Sequence, residues 1–201
     1  GVTTPKMKTY PLNLLYLATY AKEKGGHDVA LVDGENVSVP GLELPDGAAP
    51  DPEIIMNKGI PGMVKILENP EHPLWDEMER LILDEKPDLV GITCNSGNMD
   101  TARILVARMK RHGLTVILGG SHPTVLPEQS IAYTGADMVA MGEGEATLVS
   151  VLDALSSRGD SLARIPSLAR RADGRIEVNP RGSLIATIDD LPIPDRSFID
   201  R

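Results

Sequence analysis

The sequence predicts an α/β domain with a doubly wound, flavodoxin-like parallel sheet that has helices on both faces. From residue 87 onward, short apolar strands alternate with amphipathic helices, which is the pattern of parallel strands joined by crossover helices. Glycines stand where several of these elements end, as tight turns require. The 201 residues are 41% hydrophobic and 24% charged, which suits one well-buried domain with a small appendage.

The first predicted elements are a helix and a strand. The helix spans residues 11–24, and residues 27–33 form the strand. We expect residues 34–73 to be a long insertion without regular structure, except for a short helix near residues 61–67. In the flavodoxin-like order the first strand lies inside the sheet, and residues 1–10 do not resemble a strand. We therefore expect the sequence to begin just after that strand, or a partner segment to supply it.

Helices and strands alternate after the insertion. Their apolar residues recur at helical spacing in the longer segments and run continuously in the shorter ones. The last helix is expected to bury Leu148, Val151, Leu152 and Leu155. In order, the elements are a helix at 74–85, a strand at 88–94, a helix ended by Gly113, a strand at 115–118, a brief helix from Pro127 to Gly135, a strand at 137–141 and a helix at 144–157.

A hairpin and a linker are predicted at the C-terminal end. Asp173 and Gly174 form a favoured two-residue turn, so the residues on either side are expected to pair as a hairpin. Two prolines favour an extended path over residues 185–201. The chain is therefore divided into an α/β domain at residues 1–160, a hairpin appendage at 161–184 and a linker at 185–201 that leads to a further domain.

The composition excludes several classes of function. The net charge of −9 opposes a nucleic-acid-binding surface, which needs clustered basic residues. No apolar run approaches the roughly 20 residues that span a bilayer, so we expect no membrane span and a cytoplasmic location. The single cysteine excludes an internal disulfide. The sequence also lacks the phosphate-binding P-loop, the serine nucleophile elbow and the paired-histidine zinc motif.

Three loops are expected at the carboxyl ends of the strands, where open parallel sheets bind ligands. The first contains small polar residues that suit ligand binding, and a second interpretation is that Ser96 or Asn98 caps the following helix. Cys94 packs inside the strand or acts as a nucleophile with His122 as its base. The candidate cofactor-binding residues of this loop are Thr93, Cys94, Asn95, Ser96 and Gly97.

The second and third loops are rich in glycine. Two adjacent glycines after a strand indicate either a turn with positive φ or a surface pressed against a flat ligand. His122 is a candidate cofactor-binding residue that acts as a metal ligand or a proton carrier, or it makes a structural hydrogen bond. The acids of the third loop favour the positive pole of the next helix, or one of them contacts a ligand. The candidate residues of these loops are Gly119, Gly120, Ser121, His122, Gly142 and Glu143.

Five motifs in order resemble one known family. They are PLNLLYLA at residues 11–18, GHDVALVD at 26–33, PDLVGIT at 87–93, GGSHPT at 119–124 and GEGE at 142–145. Together they resemble the N-terminal cobalamin-binding domain of cobalamin-dependent radical S-adenosylmethionine enzymes. DLPIPD at 190–195 looks like the segment that leads into the catalytic barrel of that family. The resemblance covers nearly the whole chain outside the insertion.

The resemblance implies a cofactor and a partner domain. Cobalamin would lie on the carboxyl edge of the sheet, with its nucleotide tail bordered by residues 93–97 and its benzimidazole beside Gly119 and Gly120. The D-x-H-x-x-G motif of methionine-synthase-like domains is absent, so we expect no histidine ligand below the cobalt. The radical S-adenosylmethionine domain of the family holds an iron–sulfur cluster on three cysteines, and this chain has one cysteine. The chain is therefore not expected to catalyse the radical step alone.

Three functions remain open from the sequence. The first is a cobalamin-binding module of a radical S-adenosylmethionine enzyme, which acts in methyl transfer or a related reaction at an unactivated carbon. The second is a cofactor-free docking domain with the same architecture. The third is binding of another nucleotide-tailed ligand such as flavin mononucleotide, which the aromatic content of 3% disfavours because aromatic side chains commonly flank flavin rings.

Overall fold

The computed structural model describes residues 11–34, 67–157 and 162–199. These residues form one five-stranded sheet with strands in the order β1-β2-β3-β4-β5, and the predicted α/β class is confirmed. The strands are β1 (Leu89–Thr93), β2 (Thr115–Gly119), β3 (Met138–Ala140), β4 (Leu168–Ala172) and β5 (Arg175–Val178). The helices are α1 (Leu12–Glu23), α2 (Pro73–Asp84), α3 (Met99–Arg111), α4 (Ser121–Val125), α5 (Pro127–Thr134) and α6 (Glu145–Ser156).

The first three strands are parallel, and β2 and β3 are largely buried, whereas β1 is only partly buried. Neighbouring side chains of a strand point to opposite faces, and β2 follows this rule: Val116 and Leu118 belong to the larger hydrophobic cluster, whereas Ile117 belongs to a second one. The larger cluster also contains residues of α2, α3 and α5, and the second contains Val151 of α6. Helices therefore cover both faces of the sheet, as a doubly wound domain requires.

The predicted hairpin is present and extends the sheet. β4 and β5 pair antiparallel on either side of Asp173 and Gly174. β4 also pairs antiparallel with β3, with Val139 opposite Ala169, so the hairpin supplies the fourth and fifth strands of the same sheet. Leu168 is fully buried, which ties the hairpin to the second hydrophobic cluster.

The residues after the hairpin run back to α1. The backbone N–H of Asp195 donates to Oγ1 of Thr19 at 2.8 Å. Phe198 is only 5% exposed and forms a third hydrophobic cluster with Leu15 and Ala18. We name residues 179–199 the return segment.

The strand predicted at residues 27–33 is wrong. A strand requires hydrogen bonds to a neighbouring strand, and no strand of the described sheet pairs with these residues. Their apolar side chains are nevertheless used, because Val29 and Leu31 pack against the cluster of α1 and Phe198. The sequence pattern therefore predicted the packing of these apolar side chains, which are partly buried, and it predicted the strand pairing incorrectly.

Three further expectations differ from the structure or lie outside it. Of the four residues that α6 was expected to bury, Val151 is buried, Leu148 and Leu152 are half-buried and Leu155 is 37% exposed, because Thr147 and Ala154 also face inward. α4 was not predicted, since its five residues are too few to show a helical period. The helix expected near residues 61–67 lies outside the described residues apart from its last position. Within the described ranges, no helix is long and apolar enough to cross a membrane.

A buried arginine joins α3 to α2. The side chain of Arg108 is 7% exposed, and its Nη1 donates to Asp76 at 2.8 Å and to Glu79 at 2.6 Å. Its Nη2 donates to the carbonyl of Pro70 at 2.8 Å. The guanidinium thus satisfies three acceptors that lie on or just before α2.

We expect Arg108→Ala to lower the free energy of unfolding by about 2 kcal/mol, because it breaks three charge-assisted hydrogen bonds and leaves partly buried acceptors. Arg111 lies on the same helix and is exposed, so Arg111→Ala should change it by less than about 0.5 kcal/mol. Urea unfolding followed by circular dichroism measures both variants. Equal stability of the two would show that the buried contacts of Arg108 contribute nothing.

Candidate functional site

The carboxyl ends of the three parallel strands lie at one edge of the sheet. β1 ends at Thr93 and β2 ends at Gly119, and these two residues are direct register partners. The first loop (residues 94–98) and the second loop (residues 120–126, which include α4) therefore start side by side. The third loop (residues 141–144) follows β3. This edge is where doubly wound sheets bind ligands.

The two glycines after β2 differ in their surroundings. Gly120 has φ of 107°, and a Cβ atom built on it would lie 2.3 Å from the carbonyl oxygen of Cys94. A Cβ atom on Gly119 would have no heavy atom within 4 Å from any described residue other than its two neighbours in the chain. The backbone N–H of Cys94 also donates to the carbonyl of Gly119 at 2.7 Å, which holds the loops together. Gly120 is therefore needed for the loop-to-loop contact, and the open main chain belongs to Gly119.

The first loop is folded by its own asparagines. Oδ1 of Asn95 accepts from the N–H of Gly97 at 2.8 Å, and Oδ1 of Asn98 accepts from the N–H of Asn95 at 2.7 Å. Asn98 occupies the N-cap position of α3, but its side chain makes no capping hydrogen bond to the helix. Ser96 does not cap the helix either, so of the two sequence interpretations helix capping is wrong.

Side chains connect the first loop to the second. Oγ of Ser96 lies 3.0 Å from Nδ1 of His122, and the two residues are 26 positions apart in the chain. Ser96 is exposed and His122 is half-buried. His122 therefore makes a structural hydrogen bond, which was one of the interpretations offered by the sequence. Its partner, Ser96, is itself a candidate cofactor-binding residue. Ser121 begins α4 and is exposed.

Two more hydrogen bonds tie this edge to its surroundings. Oγ1 of Thr93 accepts from Nδ2 of Asn13 at 3.2 Å, which connects β1 to α1. The N–H of Gly142 donates to Oγ1 of Thr124 at 2.9 Å, which connects the third loop to the second. The three loops are thus held together by side chains and by backbone groups.

The return segment contacts the second and third loops. Oε2 of Glu143 accepts from the N–H of Ile185 at 2.6 Å, and Nη2 of Arg181 donates to the carbonyl of Thr124 at 2.7 Å. Oε2 of Glu145 is buried and has no hydrogen-bond partner in the described part of the chain. Asn13, Thr124 and Arg181 were not predicted from the sequence as site residues, because their partners are distant in the chain and no local pattern marks them.

Cys94 is buried beneath the first loop. Its side chain is 2% exposed, and burial raises the pKa of the thiol to about 12. His122, its proposed base, is hydrogen-bonded to Ser96 instead. A thiol that stays protonated and inaccessible is a poor nucleophile, so packing is the interpretation that the structure supports. No group of three or more metal-binding side chains occurs among the residues that the structure describes.

These features define a class of protein. A mostly parallel sheet with helices on both faces, whose carboxyl edge combines an open glycine with small polar side chains, is the architecture of a ligand-binding α/β domain. Residues 56–152 match the family model of the B12 binding domain. This match, which covers slightly less than half of the chain, confirms the resemblance to a B12-binding domain and the cobalamin cofactor that the sequence predicted.

Two curated proteins are similar in sequence. An uncharacterized methyltransferase of Pyrococcus horikoshii is 28% identical over 202 residues, which cover 99% of this chain and 35% of that protein. A bacteriochlorophyllide d C-8(2)-methyltransferase of Chlorobaculum tepidum is 31% identical over 96 residues, which cover 46% of this chain and 21% of that protein. The chain therefore spans about a third or less of the length of these relatives.

The fold is similar to that of a solved radical S-adenosylmethionine methyltransferase. TsrM from Kitasatospora setae, solved with cobalamin and a 4Fe–4S cluster bound, superimposes with a TM-score of 0.59 at 17% identity. The match covers 92% of this chain and 29% of that protein. The similarity supports the B12-binding fold of the domain, in agreement with the family model.

Proposed function

We propose that this chain binds cobalamin over Gly119 and serves as the cobalamin-binding module of a radical S-adenosylmethionine enzyme that transfers methyl groups. The observation that carries the proposal is the open main chain of Gly119 at the carboxyl edge of a B12-binding fold. Because glycine has no Cβ atom, a broad cofactor can approach its main chain more closely than that of any other residue. The fit is therefore good at Gly119 and poor at Gly120, which already faces Cys94.

The side chains around Gly119 suit a cofactor rich in amide and phosphate groups. The hydroxyl of Thr93 accepts from Asn13 and keeps its hydrogen free to donate. The Ser96–His122 pair adds a hydroxyl and an imidazole. Cobalamin, when bound, supplies a cobalt centre that can carry a methyl group. The residues of this chain would hold the cofactor, orient it and shield one of its faces from water.

A further domain is part of the proposal, because the matched regions cover only 35% and 21% of the two curated relatives. The return segment supports such a partner. Three of its apolar side chains are strongly exposed, with Leu184 at 73%, Ile188 at 79% and Ile193 at 89%. Exposed apolar residues next to a ligand site are typical of a surface that another domain covers. We keep the division into residues 1–160, 161–184 and 185–201 as part of this proposal.

A cofactor-free docking domain is the second candidate function. The exposed apolar residues of the return segment favour it as well, since docking requires no ligand over Gly119. The two candidates differ in one measurable property, which is corrinoid binding.

Titration with hydroxocobalamin, followed by its visible absorption spectrum, tests the proposal. We expect saturable binding with a dissociation constant in the micromolar range or tighter, and no comparable binding of flavin mononucleotide. Circular dichroism of the same sample shows whether the protein is folded. A folded protein that leaves the cobalamin spectrum unchanged at high micromolar concentration would contradict the proposal and favour docking alone. Saturable flavin binding in its place would favour the third function.

A further inference from the structure

We propose that part of the return segment is a strap whose closure is coupled to ligand binding at the carboxyl edge, with Thr124 as the positioning residue that joins the two. We name residues 181–194 the strap. The inference rests on the proposed function, because the ligand on Gly119 is the partner in the coupling. Binding and closure stabilise each other by the same factor, since a coupling between two equilibria acts in both directions.

Thr124 uses each of its polar groups to connect three parts of the carboxyl edge. Its N–H donates to the carbonyl of Gly120 at 3.1 Å, within the second loop. Its Oγ1 accepts from the N–H of Gly142 at 2.9 Å, and its carbonyl accepts from Nη2 of Arg181 at 2.7 Å. The second loop, the third loop and the strap therefore meet at one residue.

Two routes lead from Thr124 to the strap. The direct route is the hydrogen bond from Arg181, whose Nη1 would also lie 3.9 Å from a Cβ atom built on Gly142. The second route passes through the third loop, because Gly142 is followed by Glu143, whose Oε2 accepts from the N–H of Ile185 at 2.6 Å. A displacement of Thr124 therefore affects the strap at residue 181 and at residue 185.

The strap can open while the chain on either side of it stays in place. Before the strap, Nδ2 of Asn179 donates to the carbonyls of Leu162 and Ile165 at 3.0 Å and 2.8 Å. After it, Phe198 is buried against α1. Residues 181–184 and 186–190 are exposed, so the strap is held to the loops by contacts that water can reach. Such contacts are individually weak, and segments that depend on them open without unfolding of the whole domain.

The second loop is shared by the strap and the proposed ligand. Gly119 directly precedes Gly120, whose carbonyl holds the N–H of Thr124. A ligand that rests on Gly119 and packs against the second loop restricts the motion of that loop, and it thereby keeps the carbonyl of Thr124 where Arg181 can reach it. A closed strap in turn orders the loop in advance, so the ligand loses less conformational freedom when it binds. Ligand binding should therefore close the strap, and a closed strap should raise the affinity.

Amide hydrogen exchange measured by NMR tests the coupling, because the N–H of Ile185 forms one of the hydrogen bonds that close the strap. Saturating hydroxocobalamin should slow the exchange of this amide by about fivefold or more, which is an ordinary coupling between two sites. Arg181→Ala and Thr124→Val each remove one route and should reduce the slowing to less than about twofold. By the same linkage, each variant should bind hydroxocobalamin about twofold or more weakly than the unaltered protein.

Two matched variants separate the coupling from a general loss of structure. Thr124→Ser keeps the hydroxyl that accepts from Gly142, so it should retain the slowing that Thr124→Val loses. Thr115→Val makes the same substitution at the amino end of β2, on the opposite edge of the sheet, and should retain the slowing as well. Circular dichroism shows whether each variant is folded.

The outcomes separate this inference from the proposed function. Saturable binding of hydroxocobalamin with unchanged or faster exchange of the Ile185 amide would overturn the inference and leave the cobalamin site in place. Full slowing in Arg181→Ala and in Thr124→Val would also overturn it, because neither route would then carry the coupling. Absence of binding to the folded protein would overturn the proposed function and the inference together.

Discussion

Replacing Gly119 by leucine should abolish corrinoid binding and leave the fold intact, whereas Gly120→Ala should destabilise the fold itself. A Cβ atom at Gly119 would have no heavy atom of a non-neighbouring described residue within 4 Å, and the φ angle of Gly119 lies outside the positive range. We expect the free energy of unfolding to change by less than about 1 kcal/mol. The affinity for hydroxocobalamin should fall by at least about tenfold, because the leucine side chain occupies the proposed cofactor-binding site.

Two features of the structure disfavour alanine at position 120. The φ of 107° at Gly120 is costly for a residue with a Cβ atom, and that atom would lie 2.3 Å from the carbonyl oxygen of Cys94. Backbone strain of this kind costs about 1–3 kcal/mol, and the contact with the main chain adds to it. We expect a total loss of about 3 kcal/mol or more in the free energy of unfolding.

Urea unfolding and cobalamin titration of both variants check this pair of predictions. Each variant serves as the control for the other, since the two glycines are adjacent and only their surroundings differ. Wild-type affinity in Gly119→Leu would place the cofactor elsewhere, and wild-type stability in Gly120→Ala would show that the two loops do not approach each other closely.

The thiol of Cys94 should react with a disulfide reagent at pH 8 at least about a hundredfold more slowly in the folded protein than in urea. Burial raises its pKa to about 12, so little thiolate exists at pH 8, and the side chain is only 2% exposed. Because this is the single cysteine of the chain, the absorbance of the released reagent reports one site.

The same pKa shift predicts a pH dependence of stability. The folded-state pKa of the thiol, about 12, lies above the ordinary value of 9.0, so the folded chain holds its proton more tightly than the unfolded chain. The thiol makes its full contribution to the free energy of unfolding below pH 9.0, and this contribution is lost as the pH rises toward 12. Fast labelling of the folded protein at pH 8 would contradict both expectations and reopen the nucleophile hypothesis.

Local patterns predicted most of the secondary structure. Gly135 has φ of 83° and ends α5, as a glycine after a short helix led us to expect. Asp173 and Gly174 form the hairpin turn, because two residues with positive φ match the twist of the flanking strands. These features depend on the conformational preferences of a few neighbouring residues, which can be predicted directly from the residue types.

The candidate site was predicted at the level of loops and not of individual contacts. The three loops lie at the carboxyl edge as expected, because parallel strands place their ends together. The partner of His122 was not predictable, since Ser96 is 26 residues away and no periodicity connects them. The same holds for Glu143 and Ile185, which are 42 residues apart.

By itself, the sequence determined the alternation of helices and strands, the turns and the resemblance to a B12-binding domain, since these follow from burial periods and short motifs. The tertiary structure alone decided that residues 27–33 pair with no described strand and that the open glycine is Gly119 rather than Gly120. Both outcomes depend on the neighbouring backbone. No described strand pairs with residues 27–33, and the main chain of Cys94 lies against Gly120. Contacts between distant segments form only when the chain is folded, so no local sequence pattern predicts them.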